Sequence, residues 1–168
     1  MPRKPDAAPR RFWLLKSEPQ DFSFDDLLAA RGRRAGWDGV RNHQARNLMR
    51  DQMQVGDGVL FYHSSAEPPG VAGIARIARA AYPDPTQFDR RSEHYDPKSR
   101  KESPTWLQVD VEAVRELPRF LPLAELRATP ALSGMLLLRR GQRLSIQPVT
   151  PDEWRAVLSL AGLERTPV

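Results

Sequence analysis

The chain has 168 residues and no cysteine, a length that fits one domain with a sizeable core and a composition that removes disulfides, thiolate metal centres and cysteine nucleophiles. The absence of cysteine fits a reducing compartment, and a cytoplasmic address is the expectation. The formal net charge is +5, but Arg3, Lys4, Arg10 and Arg11 against Asp6 alone put three of those charges in residues 1–11, so charge by itself does not carry a nucleic-acid reading.

Residues 1–11, MPRKPDAAPRR, combine proline with a basic bias and predict a disordered arm. The domain is expected over residues 12–163, with a short tail at 164–168. FWLLK opens it as a buried strand, and Lys16 cuts the apolar run too short for a signal peptide. In SFDDLLAA, Ser23 N-caps a helix whose first turn holds Asp25 and Asp26. Beyond WDGVR, the segment NHQARNLMRDQM has helical spacing, with Asn42 as N-cap and Ala45, Leu48, Met49 and Met53 on one face. A GDG turn leads into the strand VLFYH, and the proline turn at SSAEPPG into the strand VAGIARIARAAY.

Tyr82 to Pro104 shows no periodicity and predicts a long functional or Ω-type loop. WLQVDVEAVREL returns to period two, with Leu107, Val109 and Val111 on one face. LPLAELRA predicts a short helix, and the apolar run GMLLL falls far short of the roughly 20 residues of a bilayer span. LSIQPV predicts a strand. Thr150, Pro151, Glu153 and Gly162 supply the cap, first-turn proline, capping box and stop of a last helix. Together these elements predict an α+β domain with a mostly antiparallel, barrel-like sheet flanked by helices.

The chemistry is narrowed by what is missing. No nucleophile elbow accompanies His63 and Ser64, which as neighbours on a strand point to opposite faces. His43, His63 and His94 stand apart, without metal-ligand spacing, and no glycine-rich phosphate loop follows a strand. No catalytic residue, metal or cofactor is implied, although Glu18 or Asp38 has the chemistry for acid–base work. What remains is recognition: Trp37 and Tyr62 lie among amides and hydroxyls in the sequence, the mixture a flat, heteroatom-edged base requires. Each tryptophan taken alone reads first as core, Trp154 most of all.

FWLLKSEP, WDGVRNHQARN, FYHSSAEPPGVAGIARI, AYPDPTQFD, HYDPKS, WLQVDV and RLSIQPVTPDEW, in that order, resemble the blocks of the EVE domain, the family of thymocyte nuclear protein-like proteins. The resemblance implies a PUA-like fold, a small curved β-barrel flanked by helices, and a reader of DNA or RNA that accepts one flipped, modified base such as methylated or oxidised cytosine. Carried onto this chain, it implies a pocket with Lys16, Ser17 and Glu18 at the end of the first strand and Trp37 as stacking wall. Gly39 and Val40 would form its floor, with Arg41 and Asn42 as edge contacts. Tyr62, His63 and Ser64 would line the mouth, and Arg143, Leu144, Ser145 and Gln147 the opposite side. His43 stands where the family usually has an aromatic. The alternative implied by PUA-like relatives is an ASCH-type hydrolase or ribonuclease using Lys16, Glu18 and His63.

Overall fold

The computed structural model describes residues 9–168, so most of the expected arm, residues 1–8, lies outside the described residues. Six strands form one sheet: β1 (Phe12–Ser17), β2 (Arg34–Gly36), β3 (Gly58–His63), β4 (Gly70–Pro83), β5 (Leu107–Pro122) and β6 (Ile146–Val149). Four α-helices accompany it: α1 (Phe24–Ala29), α2 (His43–Asp51), α3 (Leu123–Arg127) and α4 (Pro151–Leu160). The spatial order is β2-β5-β4-β3-β1-β6, and β1 with β3 is the parallel pair among antiparallel ones. That pair needs a long crossover, which residues 18–57 supply with α1, β2 and α2.

The α+β, mostly antiparallel expectation holds, with one difference in closure. The ladder ends at β2 and β6, which do not pair, so the sheet is open rather than a hydrogen-bonded barrel. Its curvature comes from register shifts between β4 and β5 after Val71, Ile74, Ile77 and Arg79, since each extra residue bends a strand and increases its twist. The same shifts explain why ELPRFLP belongs to β5. Pro118 lies between the paired residues Glu116 and Leu121, at a place where no ladder bond is required of it. The three-residue β2 is too short to leave a periodic signal.

Both faces of the sheet are covered. On β1, Trp13 and Leu15 join a core cluster with Phe24, Leu27, Ala45 and Met49 of α1 and α2, while Leu14 joins a second cluster with Leu126, Trp154 and Val157 of α3 and α4. On β3, Val59 and Phe61 face the first cluster, Leu60 and Tyr62 the second. Strands buried on two sides read as unbroken apolar runs, which is why FWLL and VLFY lack alternation. Trp13 also donates from Nε1 to the buried Asp57, 2.9 Å away.

The predicted caps form. Ser23 accepts from the Asp26 amide at 3.0 Å while Asp26 returns a bond to the Ser23 amide, and Asn42 accepts from the Ala45 amide at 2.9 Å. Thr150 and Glu153 make the same reciprocal box at the start of α4. Among the described residues no helix is long and apolar enough to cross a membrane.

Candidate functional site

The end of β1, the turn after it and the residues following β2 enclose an open cavity of about 450 Å³, within the range of small-molecule sites. Lys16, Ser17 and Glu18 form one side, and Ala35, Gly36 and Trp37 the other. Phe22, Asp21, Asp38 and His94 complete the lining. Trp37 is held from behind: the rings of Phe61 and Phe22 meet it edge-on at 5.4 and 6.4 Å, and its amide donates to the Val109 carbonyl at 2.7 Å. It is 8% exposed, so it serves the core and the cavity at once.

The turn from Trp37 to Asn42 is fixed by an internal clasp. Arg41 Nη1 donates to Asp84 Oδ2 at 2.9 Å and to the Val40 carbonyl at 3.0 Å, Nη2 to Thr86 Oγ1 and the His94 carbonyl, and Nε again to the His94 carbonyl. Every N–H of the guanidinium is therefore engaged. The Gly39 amide also donates to Asp84, at 2.9 Å. Gly39 has φ +78°, and a Cβ there would stand 2.6 Å from the His94 ring, so both backbone conformation and space demand glycine. Asp84 is buried. Burial alone would raise its pKa, but bonds from Thr86, Gly39 and Arg41 outweigh that and hold the carboxyl below its ordinary value.

Of the residues singled out from sequence, Lys16, Ser17, Glu18 and Trp37 meet at the cavity; the others do not line it. Val40 is buried in the first core cluster, Gly39 and Arg41 build the clasp, and Asn42 caps α2. Tyr62 packs in the second cluster, on the side of the sheet away from Trp37, because β-strand neighbours alternate. His63 does share the Trp37 side, but its Nε2 accepts from the Phe24 amide at 3.1 Å at the start of α1, which engages the nitrogen a catalytic reading would use. The Ser64 amide donates to the Ser17 carbonyl. Beside β6, the Ser145 carbonyl accepts from the Lys16 amide and the buried Gln147 donates to the Leu144 carbonyl, while Arg143 is exposed. His43 packs against Trp106, ring centroids 4.8 Å apart and tilted by 35°, and does not line the cavity.

Sequence reasoning missed Asp21, Phe22, Ala35, Gly36 and His94 as lining, and left Asp38 as a generic acid. Phe22 comes from the turn after β1, the backbone of β2 supplies Ala35 and Gly36, and His94 comes from the loop between β4 and β5. Two signs of strain flank the cavity. Arg33, just before β2, has φ +56°, and Ser65, whose Oγ donates to Glu18 at 3.2 Å, has φ +49°. These are the described non-glycine residues with positive φ, and such conformations gather at functional sites.

The electrostatics are uneven. Burial lowers the pKa of Lys16, whose ammonium lies 6.0 Å from the Tyr62 ring. Burial also lowers His63 and favours the neutral imidazole that accepts from Phe24. Asp38 is raised, first by desolvation and next by the charge of Asp84, with His94 and Arg41 acting the other way.

The EVE domain family model matches residues 11–160. Human thymocyte nuclear protein 1 is 47% identical over 169 residues, covering 90% of this chain and 74% of the relative. The crystal structure of human THYN1 in complex with 5-methylcytosine-containing DNA superposes with a TM-score of 0.86 at 45% identity, covering 92% of this chain and 99% of that one. A hypothetical protein from Leishmania major superposes with a TM-score of 0.86 at 46% identity, over 92% of this chain and 96% of that one. An ASCH protein of Zymomonas mobilis, 11% identical, shares the fold alone, with a TM-score of 0.53 over 90% of this chain and 99% of that one.

Proposed function

The chain belongs to the EVE domain family, and from that premise we propose that it is a non-enzymatic reader of a modified cytosine in DNA, taken out of the stack and held against Trp37. The observation that carries the reading is the cavity itself. One wall is an indole fixed by Phe22 and Phe61, and the rest combines polar and charged side chains such as Ser17, Glu18 and Asp38 with the rings of Phe22 and His94 and with Ala35 and Gly36 of β2. A flat base gains from such an arrangement in two ways: stacking contributes about 1–3 kcal/mol, and the fixed polar groups meet its edge. The relative solved with 5-methylcytosine-containing DNA supports DNA as the polymer and cytosine as the base. Lys16 borders the cavity and makes no ion pair among the described residues, but its ammonium lies toward Tyr62 on the other face of the sheet, so a phosphate contact there would lie beside the base pocket and not within it.

The test is a binding measurement on oligonucleotides that differ only in one 5-methylcytosine, with 2-aminopurine beside it to report unstacking. Trp37→Ala would confuse the outcome, because removing a buried tryptophan costs about 3–5 kcal/mol of stability. Trp37→Phe retains an aromatic in the core and shortens the stacking surface. Methyl-dependent affinity is expected to fall at least about 5-fold in Trp37→Phe, and the fluorescence rise on binding to shrink with it. Equal affinity for methylated and unmethylated strands, or full affinity in Trp37→Phe, contradicts the reading. Incubation with modified nucleosides and RNA, followed by mass spectrometry, tests for turnover; products that depend on Lys16 or Glu18 would replace the reader with a hydrolase.

A further inference from the structure

We propose that Asp38 reads the amino edge of the bound base, its carboxylate accepting a hydrogen bond from the exocyclic amine of cytosine and thereby excluding thymine. The inference rests on the cavity being a base pocket and goes further in assigning what the pocket reads. A methyl pocket alone cannot do this task, because thymine carries the same methyl group at C5 as 5-methylcytosine. The two differ at C4, where cytosine presents an amino donor and thymine a carbonyl acceptor. A reader of methylated cytosine therefore needs an acceptor at that edge.

Asp38 is the lining group that supplies one. It follows Trp37 directly, so its backbone position is set by the same turn that sets the stacking wall. No other residue donates a hydrogen bond or ion pair to its carboxylate among the described residues; only its own amide bears on it. The nearby basic groups are His94, which makes no hydrogen bond to Asp38, and Arg41, each of whose donors is already engaged by Asp84, Thr86 and the carbonyls of Val40 and His94. The other acids differ: Glu18 already accepts from Ser65, and Asp21, though exposed as Asp38 is, comes from the turn after β1 and not from the segment that sets the stacking wall. Asp38 is exposed in the cavity lining and no other described residue donates to its carboxylate, so a base that enters meets an acceptor open to it. An N–H from the base supplies the missing donor, whereas the O4 of thymine would bring two acceptors together.

The experiment uses the full chain and three oligonucleotides identical except for one position, carrying 5-methylcytosine, cytosine or thymine, with affinities measured for wild type, Asp38→Ala and Asp38→Asn. The wild type is expected to favour 5-methylcytosine over thymine by about 10-fold, the discrimination one good edge contact provides. Asp38→Ala should bring that ratio to within about 3-fold while keeping the preference for methylated over unmethylated cytosine. Asp38→Asn, whose amide offers a donor as well as an acceptor, should recover thymine binding in particular. A wild type that binds thymine as well as 5-methylcytosine overturns the inference, as does a ratio unchanged in Asp38→Ala. If both cytosine forms exceed thymine and Asp38→Ala abolishes that difference, but methylation has no effect, Asp38 stands as the edge reader and the modified-base reading falls. Failure to bind any of the three strands removes both.

Discussion

Two aspartates share the surroundings of Arg41 and meet opposite fates. Asp84 is fully buried and receives bonds from Arg41, the Gly39 amide and Thr86; Asp38 lies at the cavity mouth and receives none from any other residue. The first carboxylate is satisfied by the chain and belongs to the fold. The second is left to be satisfied by something else. Beside Arg41, the fold matches the buried Asp84 with donors of its own and leaves Asp38 exposed in the cavity lining without one, the placement of a group open to a ligand.

The largest way to break this contrast is to remove Asp84. Asp84→Ala leaves Arg41 partly buried without its partner and should cost about 3 kcal/mol, measured by chemical denaturation. Next, Gly39→Ala forces a left-handed residue against His94 and should cost about 2 kcal/mol in the same measurement. The smallest effect is expected at Asp38 itself: Asp38→Asn should leave stability within about 0.5 kcal/mol of wild type, and on the favourable side at neutral pH.

Titration sharpens the comparison because the signs are opposite. The folded-state pKa of Asp84 is depressed, so its contribution is present above the ordinary value of 3.8 and is lost as pH falls through the lower folded value. That of Asp38 is raised, so its ionisation destabilises the fold above its folded pKa, and the penalty vanishes below 3.8. Stability curves of Asp38→Asn and wild type should therefore converge in acid, while those of Asp84→Asn and wild type approach one another only after the clasp itself has been protonated. Curves that run parallel across the carboxylate range in both cases would remove the distinction between the two aspartates.

Much of the fold was legible because its signals are local. Ser23, Asn42 and Thr150 cap their helices through amides only three residues on, and the doubly buried β1 and β3 announce themselves as apolar runs. Open closure was not legible, since pairing of β2 with β5 joins residues more than seventy positions apart and leaves no pattern in three residues. The site divides in the same way. KSEP and Trp37 were found because their block carried the resemblance, but that block mixes residues for two uses: Arg41 looks like an edge contact until its partners in the loop between β4 and β5 are seen. Tyr62 was misplaced for a simpler reason, the alternation of side chains that puts it on the far face. Asp38 was passed over because an unpartnered carboxylate is defined by what fails to reach it, which only three-dimensional placement reveals.

The loop that supplies His94 is closed at its base by its own bonds. The Asp84 amide donates to the Trp106 carbonyl at 3.0 Å, and Gln87 Nε2 donates to the carbonyls of Asp84 and Trp106 while its Oε1 accepts from the Trp106 amide. Those ties do not involve the exposed tip around Arg90, so the tip is a place where chemistry can be attached without disturbing the neck. Because the chain contains no cysteine, a thiol introduced at Arg90 would be unique, and a dye carried there would sit a few residues from the cavity wall. The molecule thus comes with a natural mounting point for an optical sensor of its own occupancy.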